Sequence, residues 1–273
     1  MFRGDKRTEG NNDYDSNVGK GDNALYQQVK RIIDNYIMEY RKFIGIDYSP
    51  NYELQLKEVS QEKADTDGIE SPANTRFIID IQKHILSIAT NLSIEKYIVF
   101  HELTHMLDSD LYVKGNKMRK MGLGGYTEYH ASQIGFAELL GASEVENINS
   151  FSMNDICKTI SGDKSILEYV REKQQTAIFL FNKEGFPADL KQLFDALGVL
   201  FNYWGLRSIC EMYATDFVEI VDNDAFMECI PSNHFCAINR LMHGWLDEKQ
   251  IEQSMIIYNT IICTIVQQRN LLN

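Results

Sequence analysis

The chain has 273 residues, 44% of them apolar and 24% charged, with a formal net charge of −12. That balance describes a globular protein with enough apolar residues for one large domain or two smaller ones. The acidic excess argues against a nucleic-acid surface. The most apolar late stretch, "SMIIYNTIICTIVQQRN", is too short to cross a membrane.

Residues 1–22 have almost nothing to bury and lack the apolar core of a signal peptide, so a disordered lead-in is expected. Beyond it, Leu25, Val29, Ile32, Ile33, Tyr36 and Tyr40 recur at helical spacing, and Gly45 ends that helix. "YELQLKEVS" (52–60) alternates polar and apolar residues as a strand does. "ADTDGIESPANT" (64–75) is turn chemistry, and "RFIIDIQKH" (76–84) reads as a second strand.

The next helix is expected to start from Ser93 as N-cap, with Glu95 in its first turn. One stripe runs Ile94, Ile98, His101, His105 and Asp108; a second runs Val99, Leu103, Met106 and Leu107. The second stripe can face a core while the first presents the histidines. "LYVKGNKMRKMGLGG" (111–125) reads as a glycine-bearing loop. Its Lys114, Lys117, Arg119 and Lys120 suit a solvated surface or, alternatively, a basic rim favouring acidic substrate segments. Thr127 is expected to cap a following helix over "YTEYHASQIGFAELLGA". From about residue 146 the pattern is helical, with Pro187 at the first turn of one helix. Cys157, Cys210, Cys229, Cys236 and Cys263 are odd in number, scattered and without a CxxC pair, which fits reduced thiols in a cytoplasmic protein.

Histidines four apart on a helix share one face, so His101 and His105 in "HELTH" can direct two imidazole nitrogens at one ion. Glu102 projects to the side, where it can reach a water without being a ligand. A catalytic zinc needs a third protein ligand and an open position. Uncharged Ile98, Val99, Phe100, Leu103, Met106 and Leu107 around the histidines are what a buried metal helix requires.

With Glu128 in "EYHAS" lying 23 positions beyond His105, the segment from about 75 to 140 resembles the gluzincin group of zincin metallopeptidases, including its thermolysin-like, lethal-factor-like and ImmA/IrrE-type members. The resemblance implies one Zn2+ held by His101, His105 and Glu128, with Glu102 as general base and acid. Glu128, Ala131, Gly135 and Glu138 fall on one helix face, and the two small residues would let the helices approach closely. Asp108 is a rival ligand or, preferably, the acceptor that fixes a ligand imidazole. It substitutes for the Asp four past the ligand Glu in thermolysin-like sites, where this chain has Ser132. Tyr126 and His130 are the first candidates to stabilise an oxyanion, and His234 and His243 are more distant ones.

The expected fold is α+β and predominantly α: a zincin-like lobe over 23–145 with a short sheet, then a helical lobe over 146–273, to which the resemblance does not extend. The expected function is a cytoplasmic zinc metallopeptidase acting on a peptide or protein substrate, with no nucleic-acid or membrane partner. One alternative is a zinc-holding regulatory or toxin-like interaction protein with little turnover. Another is a helical interaction protein in which HELTH is accidental.

Overall fold

The computed structural model describes residues 22–58, 72–219 and 223–271. The expected disordered lead-in falls outside them except for Asp22, which opens helix α1 (Asp22–Ile44). Val29, Ile33, Tyr40 and Phe43 form its buried face, and Gly45 ends it in the left-handed region at φ +68°. That face packs on the histidine helix: the Tyr40 ring meets Phe100 edge-on at 5.2 Å, and its hydroxyl lies 2.9 Å from the Thr104 hydroxyl.

The sheet has three strands, β1 (Tyr52–Lys57), β2 (Ala73–Ile78) and β3 (Lys83–Ala89), in the order β1-β3-β2. β1 runs parallel to β3 and β2 antiparallel to it. The single strand expected over 76–84 is therefore two strands. A 3-10 turn at Ile79–Ile81 and left-handed Gln82 (φ 46°) reverse the chain, and β2 begins at Ala73, inside the stretch read as turn. β3 escaped notice because a central strand buried on both faces does not alternate: His84, Ile85, Leu86, Ile88 and Ala89 are all buried. β2 is an edge strand. Pro72 accepts from Ala89, so Asn74 and Arg76 make the ladder bonds, whereas Thr75 and Phe77 direct their backbone groups outward.

Helix α2 (Lys96–Asp108) carries the histidines. Glu95, not Ser93, occupies its cap position, and the Ser93 hydroxyl donates to the Glu95 carboxylate at 2.6 Å. A π-helical turn (Ser109–Val113) leads to α3 (Lys117–Leu139), capped by the Asn116 side chain, which accepts from the Met118 and Arg119 amides. The expected glycine loop and Thr127 cap are thus corrected: residues 117–125 are the first turns of α3, and Thr127 is inside it. The glycines serve contact. A Cβ on Gly122 would stand 2.6 Å from Asn259 Nδ2, and one on Gly125 2.6 Å from the Tyr258 ring and 2.7 Å from Phe201.

The second half adds the hairpin β4 (Ile156–Thr159)–β5 (Gly162–Ser165), which the sequence pattern did not suggest, and helices α4 (Ile166–Phe181), α5 (Leu190–Tyr213), α6 (Asp224–Met227), α7 (Ser232–Leu241) and α8 (Glu248–Arg269). Capping boxes at Ser165/Glu168 and Asp247/Gln250 start α4 and α8. Asp189 caps α5, so Pro187 lies outside that helix rather than in its first turn. The α+β, mostly helical class expected from sequence holds. One buried cluster runs from Ile33 in α1 through Leu103, Ile134 and Trp204 to Ile265 in α8, continuous across residue 145. Among the described residues, no helix is long and apolar enough to cross a membrane.

Candidate metal centre

His101 and His105 lie one turn apart on α2, and their Nε2 atoms are 3.0 Å from each other. Glu128 on α3 brings Oε2 to 3.7 Å from His101 Nε2 and 3.6 Å from His105 Nε2. Within the described residues this is the cluster whose atoms suit a metal ion. A triangle with these edges has its centre about 2.0 Å from each corner, the length of a zinc–imidazole or zinc–carboxylate bond. The donor set, two imidazoles and one carboxylate, is also one that zinc accepts while keeping an open position.

Small residues let the two helices meet. A Cβ on Gly135 would lie 2.8 Å from the Tyr97 carbonyl oxygen and 3.4 Å from His101 Cβ, and Ala131 is fully buried. The contact expected from Ala131 and Gly135 is thus the one observed. On the far side, α5 presses on α3 through Gly205, whose added Cβ would lie 2.3 Å from the Tyr129 carbonyl oxygen. Gly198, two turns earlier in α5, leaves space beside the Glu128 carboxyl group.

The electrostatics favour ligand-ready protonation states. Burial lowers the His105 pKa to about 4, which keeps the imidazole neutral near pH 7. Burial pushes the Glu128 carboxyl up, but His105, His101 and a hydrogen bond from Asn202 outweigh it and hold Glu128 well below the carboxylate range. Glu102 is the opposite case: burial and the charge of Glu128 raise its pKa well above the ordinary value, against a hydrogen bond from the Thr75 amide on the open edge of β2. A carboxylate that gains a proton so readily has the character of a general base that later acts as acid.

The residues that steady the candidate ligands differ from those expected. The Thr127 hydroxyl, 2.9 Å from His105 Nδ1, fixes that ring. Asn202 holds Glu128 and accepts in turn from the Ser132 hydroxyl. Asp108 does neither. Its carboxylate oxygens lie 3.0 and 3.2 Å from Nδ1 of His130, so its expected bond to a ligand imidazole is replaced by one to His130. Position explains this: the buried Asp108 sits at the end of α2, past the turn that faces Glu128.

Tyr126 and His130, the two oxyanion candidates, stack at 5.4 Å. Tyr126 is buried against Phe77, Val113 and Leu123, and burial with the charge of Asp108 drives its phenol far above the ordinary value. It is a packing residue, not a group open to substrate. His130 is one-fifth exposed and keeps Nε2 available, and it is near enough for its charge to be felt at His105. Of the more distant candidates, His243 is tied to Glu211 (2.8 Å) and Arg207 (3.2 Å), and His234 buries Nδ1 without a hydrogen bond. Glu138 pairs with Lys96 at 3.0 Å, away from the triad. All five cysteines are free, three buried and two exposed.

Thr127, Asn202 and Thr75 were missed by sequence reasoning. Thr127 carried a signal, but one read as a cap; Asn202 lies on a different helix from Glu128 and belongs to no local motif. No family model matches the chain, and neither the curated proteins nor the solved structures contain a match to it.

Proposed function

We propose that the protein is a zinc-dependent metallopeptidase of gluzincin type. The observation that carries this reading is the triangle of His101 Nε2, His105 Nε2 and Glu128 Oε2, with edges that fit one zinc ion. Zinc held there supplies an electrophile that polarises the scissile carbonyl and acidifies a water. Glu102, adjacent in sequence to His101 and raised in basicity by burial, takes the proton of the attacking water and returns it to the leaving amine. The Thr75 amide orients Glu102 from the edge of β2. Asp108 aligns His130, which is the remaining candidate for the developing oxyanion. Free cysteines suit the reducing cytoplasm for this activity.

Burial of Tyr126 favours a second reading, a zinc-holding interaction protein with little turnover, because it removes one of the two nearest oxyanion candidates. Metal analysis after purification without chelator, combined with Glu102→Gln, separates the cases. A metallopeptidase retains one zinc per chain in wild type and variant, and only the wild type cleaves a peptide library. Zinc without cleavage by either supports the interaction protein. Lack of stoichiometric zinc removes both readings.

A further inference from the structure

Beside the metal centre runs a groove of about 730 Å³ between the outer edge of β2, the start of α3, and α5 and α8. Its floor is apolar, from Met121, Phe194 and Tyr258, and among the described residues its walls carry Arg76, Lys117 and Lys120 with Asp80 as the one acid. Three elements run from the groove to the site. Arg76 follows Thr75, whose amide holds Glu102. Gly124 and Met121 lie one and two turns before Glu128 on the same face of α3. Phe194 is one turn before Gly198, which flanks the Glu128 carboxyl group.

Among the described residues, Arg76, Lys117 and Lys120 form no ion pair, whereas neighbouring Arg119 is held by Glu252. Lys120 donates to the Phe77 carbonyl oxygen at 2.7 Å, and burial together with the adjacent Arg76 charge lowers its pKa. Three cations at one apolar groove stand out in a chain of net charge −12 and give it a local field that attracts carboxylates. We propose that this groove is a substrate subsite for a peptide segment bearing carboxylate side chains next to an apolar one. The proposal deepens the metallopeptidase reading and relies on it for the role of the bound segment as substrate. Carboxylates meet Arg76, Lys117 and Lys120, and the apolar side chain lies against Met121, Phe194 and Tyr258.

The test uses two fluorescein-labelled decapeptides that share an apolar centre and differ only in carrying Glu or Lys on either side. Anisotropy is measured with the full-length, zinc-loaded Glu102→Gln protein, so binding is read without cleavage. The Glu peptide is expected to bind about tenfold more tightly, as three contacts of surface ion-pair strength give, with the preference shrinking as salt is added. Arg76→Glu with Lys117→Glu abolishes or inverts the preference, and Arg76→Gln with Lys117→Gln gives an intermediate loss. Position 117 is in the first turn of α3, where an acid suits the helix. Equal binding of the two peptides, no binding of either, or a preference that survives charge reversal overturns the proposal. Wild-type protein on the same peptides keeps the two ideas apart. Tight binding of the Glu peptide with no zinc-dependent cleavage sinks the peptidase reading and leaves the subsite. Equal kcat/KM on both peptides sinks the subsite and leaves the peptidase.

Discussion

Thr127 Oγ1 lies 2.9 Å from His105 Nδ1, and this bond joins the two helices that carry the proposed metal ligands. In the tautomer that donates Nδ1–H to the hydroxyl, the lone pair of His105 is on Nε2, facing His101 and Glu128. Thr127→Val keeps the shape and removes the acceptor. It should weaken zinc roughly 10–100-fold, the usual effect of losing such an outer partner, whereas Thr127→Ser should stay close to wild type. Competition with a chelator of known affinity measures both. Wild-type affinity in the valine variant would mean that His105 is oriented by packing alone.

Glu128 and Asp108 offer a sharper comparison, because both are carboxylates near the histidines and only one faces them. Glu128→Ala should lower zinc affinity by at least about 100-fold through loss of a ligand. Asp108→Ala should leave affinity nearly unchanged, since its partner is His130. It should instead cost stability of about 1.5–3 kcal/mol, the range for a hydrogen bond to a charged group. Zinc titration and urea denaturation on both variants decide the matter. The reverse order of zinc loss would place Asp108 among the ligands.

How far the sequence discloses this site follows from the range of the interactions. The His101/His105 pair is written in one helical turn, so its spacing alone predicts the shared face. Glu128 is legible because it follows one connection later in the chain. The glycines at 122, 124 and 125 misled because flexibility and close approach use the same residue; here they admit Asn259, Tyr258 and Phe201 from helices far along the chain. β3 was hidden by burial on both faces, which erases the alternation that marks a strand. Asn202 and Thr75 are set by tertiary contact alone. Only the fold brings them to Glu128 and Glu102.

Close approach of the helices should be measurable in the remaining glycines. Gly205→Ala sets a Cβ against the Tyr129 carbonyl oxygen, a backbone atom that cannot swing aside. Overpacking of this kind costs about 1–3 kcal/mol, so the urea midpoint should fall. Gly135→Ala meets the Tyr97 carbonyl and also moves His101 relative to Glu128. It should lose zinc affinity as well as stability. Equal zinc affinity in Gly135→Ala and wild type would show that the α2–α3 distance is not what sets the ligand triangle.

Burial and the neighbouring Glu128 charge raise the Glu102 pKa in the folded state above its unfolded value. Folded protein therefore holds that proton more tightly, and the associated stabilisation is complete below the ordinary carboxylate range and lost as pH rises through the folded pKa. At higher pH an ionised carboxylate is confined beside another, which is a cost to the fold. Glu102→Gln removes this titration while leaving an amide oxygen to accept from Thr75. Metal-free Glu102→Gln should accordingly melt above metal-free wild type at pH 8, with the gap closing as pH falls towards 4.5. The low pKa of His105 affects both proteins alike and drops out of the comparison. Saturating zinc, whose positive charge stabilises the Glu102 carboxylate, should narrow the gap at pH 8. Thermal melts across that range test it, and a gap independent of pH would mean that Glu102 titrates as an ordinary surface carboxylate.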